Sequence, residues 1–302
     1  MSTRTDRIET STQQNAASRT GPVRHLIRRT PLPSFLVLSC LLSWWPGALQ
    51  VAGVPMPGPA VTGVGPFLAA VIVLGLTQGR AGIRGLLRSM VQWRVPGRAY
   101  LAGIGLPLLV SGSAILATLA LGAARPEEAD VALWPTIPIM MLLVLLIPGI
   151  GGAWEEPGWR GFALRRLEDR FGLLSGSLVL GVFWVFWHAP LFWTGDILWT
   201  DVPVVVAASI VTAAVFHAGR DSVLIAMVLH ATNNAVGGGY ASELFHGNDQ
   251  TTLGLLTAAG WWLIAGGILI RTWRQRTRNQ PTHADPPTAG PSLRSHDVPG
   301  TA

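Results

Sequence analysis

The run Ile139-Met140-Met141-Leu142-Leu143-Val144-Leu145-Leu146-Ile147-Pro148-Gly149-Ile150-Gly151-Gly152-Ala153-Trp154 is apolar throughout and ends on Glu155-Glu156-Pro157-Gly158-Trp159-Arg160-Gly161. It shows no strand alternation. With the residues before it, it approaches the ~20 apolar residues a helix needs to cross a hydrocarbon layer. Two carboxylates and a guanidinium at the edge of such a run are costly in lipid, so they mark a functional site by default.

Seven other stretches have the same character. The eight apolar segments lie near 32–50, 64–79, 99–124, 133–152, 174–195, 202–218, 222–239 and 252–271. Only 13% of the 302 residues are charged and 49% are hydrophobic. A soluble domain carries about 25% charged residues, so a water-soluble globule is excluded. The expected fold is an all-α, polytopic transmembrane helical bundle of about eight membrane helices. Residues 1–30, polar and rich in Ser, Thr, Gln and Arg, and 277–302, rich in Pro, Thr, Ser and Gly, read as disordered cytoplasmic tails flanking a single transmembrane domain over 31–276. The single cysteine, Cys40, rules out an intramolecular disulfide and any multi-thiolate metal site.

Every one of the 22 basic residues is arginine, and their positions carry information. They precede the first segment, fill the connection between the second and third (Arg80, Arg84, Arg88, Arg94, Arg98), and follow the fourth (Arg160, Arg165, Arg166, Arg170), sixth (Arg220) and eighth (Arg271, Arg274, Arg276, Arg278). The alternate connections hold Glu127, Glu128 and Asp130, then Asp196 and Asp201, then Glu243 and Asp249, with Arg125 as the one basic residue. Arginine on every second connection supports eight spans. By the positive-inside rule it puts both termini in the cytoplasm of a bacterial inner membrane. The net charge of +6 belongs to these borders and is not a nucleic-acid footprint. The 80–98 stretch, with arginines three to six apart among apolar residues, reads as an amphipathic helix on the inner leaflet or as a basic loop.

Few polar groups remain at membrane depth. Glu156 and Arg160 are four apart, share a helical face and form an ion pair. Glu155 points about 100° away, free to meet another group as a general base. The plain alternative is a solvated acid pair beside a basic loop. His188 sits in Val182-Phe183-Trp184-Val185-Phe186-Trp187-His188-Ala189-Pro190, and His230 in Leu229-His230-Ala231-Thr232-Asn233-Asn234. The i,i+4 spacing stacks His230 and Asn234 on one face, where they could bind a metal or water and stabilise an oxyanion. Asn233 is turned elsewhere, toward helix packing. His217 and His246 end their segments and read as interfacial. A base, two imidazoles and an amide donor from three helices fit hydrolysis by an activated water. The His-Glu-x-x-His pattern of zincins is absent.

These residues resemble the three motifs of the CAAX-prenyl-protease and bacteriocin-processing (Abi) family of intramembrane proteases. Glu155, Glu156 and Arg160, followed by Gly161, match its Glu-Glu-x-x-x-Arg motif. His188 matches the histidine of Phe-x-x-x-His, with Trp184 in the aromatic position. His230 and Asn234 match His-x-x-x-Asn. The resemblance covers about residues 80–240.

It implies a bundle with a conical cavity open to cytosol and membrane, and a peptide or protein substrate that is membrane-associated or lipidated. It also implies that Glu155 and His188 activate water, that His230 and Asn234 form the oxyanion site, and that Glu156 and Arg160 support them. Should a metal be used, Glu155, His188 and His230 would suit Zn2+. The rival reading within the family is a non-catalytic bacteriocin-immunity or scaffold protein in contact with membrane lipids. Matching the depths of Glu155 and His188 requires a distorted fourth helix at Pro148–Gly152, a fifth helix starting well after Gly172, or both; both are expected.

Overall fold

The computed structural model describes residues 21–278, which are helical with no strand among them. In chain order the helices used below are α1 (Pro22–Arg29), α2 (Pro31–Ser43), α3 (Trp45–Val51), α4 (Gly65–Thr77), α5 (Gly79–Met90), α6 (Gly97–Ala120), α7 (Thr136–Leu146), α8 (Arg165–Phe171), α9 (Leu173–Trp187), α10 (Asp201–Ala218), α11 (Val223–Asn233) and α12 (Gly247–Arg278). Each of the eight apolar stretches is helical, as a low-dielectric surrounding requires of backbone that must satisfy its own hydrogen bonds. They are not equally long. Among the described residues only α6, α10 and Gly247–Gln275 of α12 are single helices long and apolar enough to cross a membrane; α2 and α3, bent by 47°, make a fourth as a broken pair. Helix α4 has 13 residues, α7 has 11 and α9 has 15. At 1.5 Å per residue, α7 covers only about 16 Å of a hydrocarbon core about 30 Å thick. The short helices surround the polar centre.

Two sequence expectations are revised at the borders. Residues 22–29, assigned by composition to the N-terminal tail, form α1, which Arg28 ties to α4 by donating from Nε to Leu76 O at 3.0 Å. The rest of both expected tails, 1–20 and 279–302, lies outside the described residues. The amphipathic helix expected in 80–98 exists as α5, with Leu86 and Met90 buried and Arg80, Arg84 and Arg88 exposed.

The fourth segment breaks as its Pro-Gly composition predicts. Helix α7 stops at Leu146, and Gly149 and Gly151 take positive φ through the following loop. The fifth does not start late. Gly172, at φ +81, ends α8, and α9 begins at Leu173. Depth is matched differently: Trp184, one turn before His188, is the residue of α9 level with Glu155.

The core is aromatic where α2, α9 and the Trp159 turn meet. Phe35 packs edge-on against Trp159 at 5.6 Å between centroids, and Trp159 packs edge-on against Trp187 at 5.7 Å. Indole N–H groups there are satisfied by carbonyls: Trp44 donates to Trp187 O at 2.9 Å and Trp187 to Ser39 O at 3.3 Å.

The bundle has two chemically distinct ends. At one, Gln92 donates to Arg220 O, Ser222 donates to Gln92 O, Arg165 pairs with Asp221, and His217 bridges Glu168 and Asp221. At the other, Ala60 N donates to Asp196, Ala124 N to Asp249, and the Tyr240 hydroxyl to Val131 O. The first gathers the arginine-bearing connections and the second the acidic ones, as the alternation along the sequence predicts.

Candidate active site

Glu155 and Glu156 follow the broken end of α7. Residues 153–155 form a 3-10 turn, 156–158 one α-helical turn, and Trp159–Leu164 a π-helical stretch leading into α8. A second π-helical stretch, Asn234–Tyr240, continues α11. Such π turns widen a helix and recur at functional sites. Here both fall on segments that carry the polar residues, and His230 with Asn234 spans the change from α to π.

Glu156 and Arg160 are both fully buried and paired, with Nη1 donating to Oε1 at 3.0 Å. That much the i,i+4 spacing predicts. The same Oε1 also takes His230 Nδ1 at 2.7 Å, a contact across 74 residues that spacing could not reveal. Since the carboxylate accepts, Nδ1 of His230 donates, and Nε2 is the ring nitrogen left for another partner. Arg160 is held further by Nη2 donating to Ser209 O at 3.4 Å and by the Trp184 ring, 4.6 Å from its Cζ.

Glu155, 4% exposed, receives no cation of its own. Its Oε2 accepts two indole N–H groups, from Trp184 at 2.7 Å and from Trp159 at 3.1 Å. Oε1 faces Gly152. A methyl group added at Gly152 would collide with His230 Nε2, lie 2.6 Å from its Cε1 and lie 2.8 Å from Glu155 Oε1. Glycine there keeps open the space shared by the carboxylate and the imidazole. The adjacent Gly151 performs the same service for Asn234, whose Nδ2 would lie 3.2 Å from a methyl group at 151. Glu155, His230 and Asn234, expected to converge, therefore do so around one glycine pair.

His188 is placed differently from the expectation of direct partnership with Glu155. Its Nδ1 donates to Trp184 O at 2.7 Å, within its own helix, and its ring packs beside Trp184 at 5.7 Å and Trp187 at 5.0 Å between centroids. Trp184 stands between the motifs: its N–H holds Glu155 while its ring abuts His188 and, at 5.4 Å, His230. The sequence places Trp184 only in the aromatic position of the motif. It is a hydrogen-bond donor, which a phenylalanine could not be. The signal was available, because Trp184 lies one helical turn before His188.

A cavity of about 380 Å³ reaches this site. Trp184, His188, His230, Asn233 and Asn234 line its inner part, so Asn233, read from the sequence as helix packing, also faces it. Glu155 lies behind this wall, joined to it through Trp184. The other lining residues come from the acidic-end halves of α10 and α12 and from the 195–201 and 237–243 connections. The cavity thus opens at the end opposite the arginine-rich loops. The resemblance, combined with the arginine count, implied the arginine end instead.

Among the described residues no three His, Cys, Asp or Glu side chains are grouped to hold a metal ion. Two indole N–H donors take Oε2 of Glu155, a backbone carbonyl takes Nδ1 of His188 and Glu156 takes Nδ1 of His230, which leaves Glu155 Oε1 and Nε2 of both histidines as the atoms that would hold a Zn2+ ion.

Residues 134–236 match the family described as type II CAAX prenyl endopeptidase Rce1-like. The match contains Glu155, Glu156, Arg160, Trp184, His188, His230 and Asn234. This central third of the chain is similar to the CAAX prenyl protease family. A curated relative, the CAAX prenyl protease 2 of Methanococcus maripaludis, is 37% identical over 60 residues, which are 20% of this chain and 20% of the relative. The chain is thus a helical membrane protein with an Rce1-like centre, and the matched part is narrower than the 80–240 expected from the motifs.

Proposed function

We propose that this protein is an intramembrane endopeptidase that hydrolyses a peptide bond of a membrane-associated substrate with water activated by side chains. One observation carries the reading: Glu155 Oε1 and His230 Nε2 both lie beside the place a methyl group at Gly152 would take, close enough for one water to bridge them, with the Asn234 carboxamide beside them. Water donates two hydrogen bonds of about 2.8 Å, so one molecule satisfies both acceptors and presents its oxygen lone pair outward.

In the reaction, that oxygen attacks the scissile carbonyl carbon and Glu155 takes a proton. Asn234 Nδ2–H donates to the oxyanion as the tetrahedral intermediate forms. The C–N bond then breaks, Glu155 returns the proton to the departing amine, the second water proton stays on the new carboxyl group, and a carboxylic acid and an amine leave. His230 belongs on the water side of this scheme rather than the oxyanion side, because its proton is committed to Glu156. His188, anchored through Nδ1, offers Nε2 to the cavity as an acceptor for a substrate N–H. Glu156 and Arg160 fix the His230 ring.

The test is a comparison of peptide termini in membrane fractions from cells carrying the wild-type chain and Glu155→Gln. Termini lost in the variant, at equal protein level, support the enzyme. Identical termini select the scaffold or immunity reading.

A further inference from the structure

The cavity and the charge pattern together say from which side a substrate arrives. The inner part of the cavity lies at mid-bundle, against Trp184, His230 and Asn234. Its outer part is bounded by Asp196, Asp201, Ser242 and Glu243, which stand on the 195–201 and 240–249 connections and at the start of α10. No arginine lines it. These connections belong to the acidic end, fastened by Ala60 N to Asp196 and Tyr240 to Val131 O. The arginines of α1, α5, α8, the 91–98 connection and the end of α12 all lie at the other end, where Val95 and Ala99 pack in one cluster with Ile268 and Leu269. Arginine-rich short connections stay in the cytoplasm.

On the arginine side the site is closed by packed protein. Trp159, Phe162, Ala163 and Leu164 are fully buried between the carboxylates and α8, and Leu86 of α5 presses on Gly161. Two independent observations, the side on which the cavity opens and the side on which the arginines collect, therefore point in opposite directions along the bundle.

We infer that the substrate reaches the site from the non-cytoplasmic face, as a polypeptide segment lying at the outer membrane surface. This rests on the protease reading above and narrows it. The substrate class is an exported peptide or the external juxtamembrane end of a membrane protein, not a chain tethered to the cytoplasmic leaflet.

The test needs no turnover. In the full-length protein with Cys40→Ser, single cysteines are introduced as Ser242→Cys at the cavity rim, Thr257→Cys further along its α12 wall, and Arg88→Cys on exposed α5. A membrane-impermeant maleimide is then applied to intact spheroplasts and, separately, to inside-out vesicles. The expected result is labelling of Ser242→Cys and Thr257→Cys in spheroplasts, and of Arg88→Cys only in inside-out vesicles. Labelling of the two cavity cysteines only in inside-out vesicles, or in neither preparation, would overturn the inference. An inactive protein gives the same labelling pattern, so failure here is distinct from failure of the protease reading.

Discussion

Replacing Arg160 with methionine isolates what holds the centre together. Arg160 and Glu156 are both fully buried, 3.0 Å apart, and His230 leans on the same carboxylate oxygen at 2.7 Å. Arg160→Met removes the guanidinium and leaves the Glu156 charge in a site with no water to solvate it. Breaking one partner from a buried pair costs about 3–5 kcal/mol, and at ~2–4 °C per kcal/mol the melting temperature should fall by on the order of 10 °C. Glu156→Gln should cost a similar amount by stranding the arginine, although the amide oxygen still accepts from His230. The double variant Glu156→Gln/Arg160→Met leaves neither charge, so its loss should be smaller than the sum of the singles by about 2–4 kcal/mol. Thermal unfolding followed by tryptophan fluorescence in one detergent measures all four proteins. Additive losses, or an Arg160→Met melting temperature within ~2 °C of wild type, would refute the buried-pair argument.

Three further outcomes follow from the same geometry. Trp184→Phe keeps the ring against Arg160 but removes the 2.7 Å donor to Glu155. A hydrogen bond to a charged group is worth about 1.5–3 kcal/mol, so kcat should fall roughly 10- to 100-fold with KM little changed; steady-state kinetics checks this, and an unchanged kcat contradicts it. Gly152→Ala keeps every polar residue yet puts a methyl group between His230 and Glu155. It should abolish cleavage while Ala153, whose own methyl is already buried, tolerates glycine with a modest loss; equal activity in Gly152→Ala would remove the water position from the scheme. If side chains alone activate the water, extensive treatment with a chelator should leave the purified protein's rate within ~2-fold, and a loss restored by added Zn2+ would contradict that scheme.

Much of the fold was legible in the sequence because it rests on local rules. Apolar runs of spanning length give helices, arginine on every second connection gives the two ends, and Pro148 with Gly149, Gly151 and Gly152 breaks the fourth helix. The Glu156–Arg160 pair follows from i,i+4 spacing alone. What local rules cannot reach are contacts between helices. His230 Nδ1 on Glu156 joins residues 74 apart, and Trp184 on Glu155 joins residues 29 apart. Those two bonds change the reading of three residues: Glu156 orients an imidazole, His230 becomes an acceptor, and Trp184 becomes a donor. Run length also overstated the helices near the site, because it counts apolar residues and cannot see that α7 stops at Leu146. The side on which the cavity opens depends on how α10, α11 and α12 pack, and composition says nothing of it.

In the proposed reaction Glu155 activates the water. Once a cleaved peptide is in hand, its single-turnover hydrolysis by purified wild type and by Glu155→Gln in the same detergent isolates that role. Loss of a general base should slow the reaction by about 10²–10⁴-fold, with the melting temperature of the variant unchanged to within a few degrees. Cleavage at the wild-type rate by a folded Glu155→Gln protein would contradict it.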